Sequence, residues 1–450
     1  MAHIFVRPKN DDSPKRPVIT ETSTREGSAA ESRRGPFAGV RVLEITDASG
    51  QLAGKLLADL GAEVVKVEPL EGSPVRSVPP FFQDRADPNG SLTFWHYNTS
   101  KESVCLDWTL ESDLDVLRSL ARESDVIIES LAPDQLERSG LTYEAVRATN
   151  PAVIFCSLTP FGRTGPWAEF ASTDLVQLAL GGVMASCGYD AAMSLPPIAP
   201  SGGQSWHTAS VLTALAVSTA LLHRRRSGLG QKIDLSVHDA LSVTTEMSFH
   251  YYVYDGEVVK RQTGRHALPH WSPPQTFRTA DGRFINAMLV YLDTKKWLTL
   301  IGWLDETGEA EDLGDDMYLI PEVLESSMQH VTEVVGRFIA RHDLESLHRG
   351  AQARKLAWTP IRGVEDLLND PHFSIDRDLF TWLDHEQAPQ PMPYVASPVK
   401  FSGSEVRVRR RAPNLGEHSG FARSITDTPT SEPGSAEPGA PRPERAPRSR

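Results

Sequence analysis

The chain has 450 residues, 40% of them hydrophobic and 23% charged, with a formal net charge of −13 at pH 7 and a mean hydropathy of −0.31. That length holds two or three domains. The acidic balance argues against a nucleic acid or an anionic membrane as the main partner, although it leaves room for a local basic pocket.

Residues 1–35 and 424–450 are polar and aperiodic. Such stretches bury too little apolar area to offset their ordering entropy, so disordered tails are expected around a folded body at 36–423. The body opens with a β-α-β pattern. GVRVLEIT reads as a strand, QLAGKLLADLG as a helix closed by glycine, and AEVVKVEP as a second strand. SVCLDW, DVIIES and AVIFCSLT continue as strands, with LDVLRSLARES and YEAVRATN as the helices between them. This alternation predicts an α/β fold with a Rossmann-like parallel sheet covered on both faces. Ligands in such sheets lie beyond the carboxyl ends of the strands, here after Thr46, Pro69, Asp107, Glu129 and Leu158. Residues 204–226 then predict a long helix, QKIDLSV a strand, 239–258 another helix, and PPQTFRTADGRFINAML a hairpin turning at Ala-Asp-Gly. Helices running to about residue 370 mark a second, smaller domain. ASPVKFSGSEVRVRRRAPNLGEH returns to short strands and turns.

Three widely spaced cysteines, Cys105, Cys156 and Cys187, fit neither a disulfide framework nor a zinc knuckle and suit a reducing compartment. The N-terminal stretch has no signal-peptide core. The longest apolar run, Ala209–Leu222, is too short to span a bilayer. A cytoplasmic location without a membrane segment is therefore expected. His266 and His270 are four apart, but Pro269 lies between them and no acid accompanies them, so a loop and no metal site is the reading. GxGxxG, Walker and GxSxG motifs are absent. Residues 201–210, SGGQSWHTAS, put two glycines and a polar cluster at the head of the long helix. Chemistry on an anion or a carbonyl suits that place, yet no Asp or Glu occurs between Asp190 and Asp234.

Several stretches in order resemble the class III CoA-transferases of the CaiB/BaiF type. These include formyl-CoA, carnitine and benzylsuccinate CoA-transferases and are related to the α-methylacyl-CoA racemases. The pieces are GVRVLEIT…LLADLGAEVVKVEP, FWHYNTSKESVCLDW, DVIIESLAPDQLERSGLTYEAVRATNPAVIFCSLTPFGRTGP, ALLHRRRSGLGQKIDLSVHDAL, PPQTFRTADGRF and ASPVKFSGSEVRVRRRAPNLGEHSG. The resemblance implies a large domain built from 36–235 and 386–423, with linkers and a small domain at 236–385. It also implies two interlocked chains, either a homodimer or a heterodimer with a paralogous subunit. Coenzyme A would enter as substrate, with no tightly bound cofactor. CoA would lie over Leu106, Asp107, Ser130 and Leu131, with Arg138 reaching a phosphate. Two lysines that formyl-CoA transferase has fall on Thr109 and near Thr159, which implies fewer phosphate contacts. Thr173 stands where racemases carry a catalytic histidine, which counts against a racemase, and Asp174 reads as a helix N-terminal residue.

The resemblance further implies an acyl-CoA and a carboxylic acid as partners in exchange. The family's nucleophile is an aspartate at the start of the long helix, which forms an anhydride and then an aspartyl-CoA thioester. Ungapped alignment puts that aspartate on Trp206, and an indole forms no anhydride. Three readings follow: a subunit of a heteromeric CoA-transferase whose partner supplies the aspartate, an enzyme using Ser205, His207 or Gln204 as nucleophile, base or oxyanion donor, or a CoA-thioester-binding chain without turnover.

Overall fold

The computed structural model describes residues 35–289 and 292–426. The expected N-terminal tail, but for Gly35, lies outside the described residues, as does the C-terminal one beyond Thr426. Six parallel strands form the main sheet: β1 (Arg41–Ile45), β2 (Glu63–Glu68), β3 (Lys101–Cys105), β4 (Val126–Glu129), β5 (Ile154–Thr159) and β6 (Gln231–Ser236). Their spatial order is β3-β2-β1-β4-β5-β6, the doubly wound arrangement, which reverses direction between β1 and β4. Runs such as VIIE and IFCSLT are buried along their whole length, as strands covered on both faces must be.

One face of the sheet is covered by α1 (Gln51–Asp59) and, further on, a long helix at Gln204–Ser227. Here Ala53, Leu57 and Val217 pack on Val64, Ile128 and Ile154. The other face carries α3 (Glu111–Glu123), α5 (Tyr143–Thr149) and Ala422 near the end of the described chain. Between these come α2 (Leu92–Tyr97), α4 (Pro133–Ser139), α6 (Asp174–Leu180), α7 (the Gln204–Ser227 helix), α8 (Val237–Ser242) and α9 (Glu246–His250). The single helix expected at 239–258 is thus broken. Its residues fall into α8, α9 and a π-helical turn at Tyr251–Asp255 that ends on Gly256 at φ 70°. By length and composition α7 is sufficient to cross a membrane, longer than the apolar run expected. It packs instead on α1, β5, β6 and α8.

A second apolar core is drawn from residues 285–358, with Trp297, Trp303, Phe338 and Trp358 at its centre. Its sheet is β7 (Thr276–Arg278), β8 (Phe284–Ala287) and β9 (Trp358–Pro360), with β7 and β8 forming the expected hairpin. Helices α10 (Thr294–Asp305), α11 (Met328–Arg341) and α12 (Leu344–Ala353) cover it. The strands expected after Ala396 are absent from the described residues. The pair β10 (Phe380–Leu383) and β11 (Met392–Val395) comes just before. Beyond it the chain runs irregularly beside β3, held by side chains as much as by backbone. Arg409 N–H donates to Ser100 Oγ (2.8 Å), the Arg409 guanidinium to Ala58 O (2.6 Å), and Cys105 N–H to Ser419 Oγ (2.9 Å). A last helix, α13 (Ser419–Thr426), packs on α3 and reaches past residue 424, where the tail was expected to begin.

Beneath α1 the sheet buries charge. Glu44, Lys66 and Lys101 occupy neighbouring strands and are essentially inaccessible to solvent. Glu44 Oε1 pairs with Lys66 Nζ (2.9 Å) and Glu44 Oε2 with Lys101 Nζ (2.7 Å). Burial works to raise the Glu44 carboxyl, but the two ammonium groups outweigh it and hold it low. Burial also brings the Lys101 ammonium down to about 8, against the pull of Glu44. Each lysine also donates to backbone at one end of the β1–α1 turn, Lys66 to Thr46 O (2.7 Å) and Lys101 to Gln51 O (2.7 Å), and Lys101 further to Asn98 Oδ1 (2.9 Å). Gly54 makes room for the triad, because a Cβ there would lie 1.7 Å from Glu44 Oε2. Gly54→Ala is expected to cost at least about 3 kcal/mol, through overpacking and displacement of a buried pair. Urea unfolding measures it, with Gly302→Ala in α10, where a Cβ meets nothing within 4 Å, as the helix-propensity control.

Candidate functional site

The crevice between β1 and β4 is where a doubly wound sheet receives its ligand. Two loops meet there. Asp47 N–H, in the turn after β1, donates to Ser130 Oγ (3.1 Å) in the loop after β4, and Asp47 Oδ1 accepts from Ser49 N–H (2.9 Å) and Ser49 Oγ (2.6 Å). Leu131 is fixed by the buried Glu129 and by Arg163. Its N–H donates to Glu129 Oε2 (2.9 Å) and its carbonyl accepts from Arg163 Nη1 (2.8 Å), while Arg163 Nη2 pairs with Glu129 at 2.5 Å. The Arg163 backbone N–H reaches Asp234 on β6 (3.1 Å), so this residue straps β4 to β6 across β5.

Leu106 and Asp107 follow β3, which is separated from β4 by β2 and β1, a distance of about 14 Å at the usual strand spacing. The Leu106 side chain is buried in the core, so only its backbone can meet a ligand. Asp107 accepts from Thr109 N–H (2.9 Å) and Thr109 Oγ1 (2.7 Å), bonds that hold its carboxyl below the ordinary range. Arg138, near the end of α4, is largely exposed and paired with Asp134. Ser130 and Leu131 are thus brought together with Asp47 at the switch point, whereas Arg138 is engaged by its own helix.

The head of α7 forms the second part of the site. Gly202 and Gly203 take φ of 91° and 71°, a left-handed turn that glycine adopts at least cost. No acid lies in the first turn. Ser205 is fully buried, and both its N–H (3.0 Å) and its Oγ (2.5 Å) donate to Asp174 Oδ1 at the start of α6. Asp174 therefore supplies from another helix the anionic cap that α7 lacks. The Trp206 ring folds back over the N-cap, 3.3 Å from where a Cβ on Gly203 would stand, and packs with Leu158, Val237 and Ala240. His207 turns the other way, its Nε2 in a hydrogen bond with Tyr97 Oη of α2 (2.7 Å). Burial lowers the His207 imidazole, with Asp174 opposing. Gln204 Nε2 donates to Ser201 O (3.1 Å).

Ser205 and His207 are two apart on a helix and face different directions, so they do not form a nucleophile–base pair. Burial pushes the Cys105 and Cys156 thiols up to about 11 and about 12, which removes both as thiolate nucleophiles near neutrality. His266 and His270 lie in a loop. Asp47, Tyr97 and Arg163 were not singled out in the sequence. Asp47 follows the strand end Thr46 and Tyr97 lies within FWHYNTSK, but nothing in the spacing pairs either with its partner.

The profile of CoA-transferase family III matches residues 37–419. The chain belongs to CoA-transferase family III. Among curated members of the family it is similar to the succinyl-CoA:(R)-benzylsuccinate CoA-transferase subunit BbsE of Thauera aromatica, 28% identical over 85% of this chain and 92% of that one. It is also similar to the succinate–glutarate CoA-transferase of Agrobacterium fabrum, at 30% over 86% and 94%. The succinyl-CoA:mesaconate CoA-transferase of Haloarcula hispanica is 31% identical over 84% and 93%. A solved CaiB/BaiF family protein from Brucella suis superposes with a TM-score of 0.75 at 27% identity, covering 87% of this chain and 99% of that one. The fold and the family are those that the sequence motifs implied, and the chain is accordingly a CoA-transferase by descent.

His96, next to Tyr97, carries a pH signature. Burial, then Lys55 and His207, lower it from 6.5 to about 4. Between these values the unfolded chain binds more protons than the folded one, so stability rises with pH from about 4 to 6.5 and is complete above that window. Urea unfolding across this range is expected to show the slope, and His96→Gln to reduce it. Part remains with the buried His385, also lowered to about 4.

Proposed function

We propose that this chain exchanges CoA between an acyl-CoA thioester and a carboxylic acid as one of two different family members in a single enzyme, the paralogous chain supplying the nucleophilic aspartate. The observation that carries this reading is the packing of Trp206. The helix head where the resemblance places the family's aspartate bears an indole held by Leu158, Val237 and Ala240, and no carboxyl group lies in its first turn. Two relatives support it by name. One is the benzylsuccinate transferase subunit above, and the other is the succinyl-CoA–L-malate CoA-transferase alpha subunit of Chloroflexus aurantiacus, 25% identical over 82% of this chain.

In this reading CoA extends over the backbone of Leu106–Asp107 and Ser130–Leu131, and Arg138 leaves Asp134 to meet a phosphate. The partner's carboxylate attacks the thioester carbonyl, releasing CoA thiolate and leaving a mixed anhydride. The thiolate then attacks the aspartyl carbonyl, frees the donor acid and leaves an aspartyl-CoA thioester. The acceptor carboxylate reverses both steps and carries CoA away. Ser205, His207 and Gln204 shape the site and perform none of these steps.

The purified chain alone is expected to show no CoA exchange, and to gain it when combined with a paralogue carrying aspartate at the Trp206 position. Robust exchange by the lone chain rejects the proposal, and absence of exchange in every pairing leaves a binding chain without turnover. As a second arm, Trp206→Asp in the lone chain is expected to yield a hydroxylamine-sensitive CoA adduct on residue 206, visible by mass spectrometry.

A further inference from the structure

Three aromatic rings stand at the ligand end of the sheet and serve no core. Phe161, Trp167 and Phe170 lie in the loop after β5. Trp167 and Phe170 are near parallel, with planes 21° apart and centroids 6.1 Å apart, and Phe161 meets both edge-on at 5.9 and 6.2 Å. His238, opening α8, closes the group at 5.6 Å from both Phe161 and Trp167. Trp167 is 42% and Phe170 53% exposed, and as stacked neighbours they present one continuous apolar surface to a ligand. Beneath them His238 Nδ1 is buried without a hydrogen-bond partner.

The loop's anchorage gives the rings their place in the reaction. Near its start Arg163 ties it to Leu131 in the switch-point loop. Three residues before, Pro160 O accepts from Gln177 Nε2 of α6 (3.1 Å) and from His238 N–H of α8 (3.0 Å), and α6 in turn caps the head of α7 through Asp174. Phe161 and Trp167 rest on His238 of α8, whose Val237 and Ala240 belong to the apolar cluster against which Trp206 packs, so the rings are linked both to the loop read as a CoA contact and to the helix head. Charge narrows the ligand class. No lysine or arginine occurs between Arg163 and Arg224, while Glu169, Asp174 and Asp190 fall in that interval, and the two arginines that reach it from elsewhere, Arg261 and Arg265, do so at Leu195 and Asp190, beyond the loop that carries the rings. The guanidinium of Arg163 is already committed to Glu129. A second carboxylate on the acyl group would find no cation within this segment, whereas an uncharged ring would find stacking partners.

We infer that Phe161, Trp167 and Phe170 form the acyl subsite of this chain, and that it takes a carboxylic acid bearing an uncharged aromatic ring, with His238 Nδ1 as a polar contact for a substituent. The inference rests on the reading that the chain binds CoA thioesters at the strand ends.

Calorimetric titration of the full-length chain with CoA, succinyl-CoA and phenylacetyl-CoA tests it. Phenylacetyl-CoA is expected to bind about tenfold more tightly than CoA, and succinyl-CoA no more tightly than CoA. Trp167→Ala should abolish the tenfold gain without changing CoA affinity, and Phe170→Leu, which keeps apolar bulk, should lose part of it. Melting curves of both variants verify folding, which the exposure of the two residues favours. Succinyl-CoA outcompeting phenylacetyl-CoA, or a ratio untouched by Trp167→Ala, overturns the subsite. A Trp167→Ala effect on sedimentation with no effect on the ratio assigns the rings to a partner chain and overturns it equally. Absence of binding by all three ligands removes the CoA reading itself, and the subsite with it.

Discussion

A carboxylate with no access to water, held between two equally buried ammonium groups, fixes the ligand end of this sheet. Glu44 lies in register with Lys66, and Lys66 with Ser103 two residues along from Lys101, so the charges meet on one face under α1. Such a cluster adds little stability over a well-packed apolar one, because desolvation offsets most of the Coulomb attraction. What it adds here is position. Each lysine spends a proton on backbone, one at Thr46 and one at Gln51, so the turn carrying Asp47 and Ser49 is tied at both ends to the sheet. A parallel arrangement holds the other rim: Arg76 pairs with Glu68 at 2.7 Å, and Glu68 also receives Ser103 Oγ and Ser73 N–H.

The second half of the site is held by side chains that cross between elements. Arg163 ties three strands together, and Asp174 caps a helix that begins thirty residues further along the chain. With the Ser205 N–H bonded to Asp174 and an indole folded over its N-cap, the head of α7 is less receptive to an anion than its two glycines alone would make it. The neighbouring aromatic loop keeps Trp167 and Phe170 exposed. Under the proposed function, such a chain recognises part of a reactant whose chemistry is completed by its partner.

Much of this was readable in the sequence. The β-α-β units were legible because fully buried parallel strands give short apolar runs, such as VIIE and IFCSLT, between helices. The hairpin at 276–287 was legible from its Ala-Asp-Gly turn. The break between α8 and α9 was not, because the apolar periodicity of 239–258 persists across the turn at 243–245 and on into the π turn that follows α9. Nor was the irregular course of 396–418. EVRVRR alternates like a strand, but its arginines reach the Ala58 carbonyl and the Glu102 carboxylate, so the segment follows β3 without joining it. In the site, the residues that follow strands were visible from position alone. The pairings Asp174–Ser205, Tyr97–His207 and Asp47–Ser130 were hidden, since each joins side chains 31, 110 and 83 residues apart with no periodicity to announce it.

The fold-back of Trp206 over Gly203 has a consequence for substitution. The indole packs in the seam between β5, α7 and α8, so exchanging it for a small acidic side chain would forfeit apolar burial on the order of 2 kcal/mol. An acid placed at residue 206 leaves a gap in that seam, which a second, space-filling change nearby would have to close.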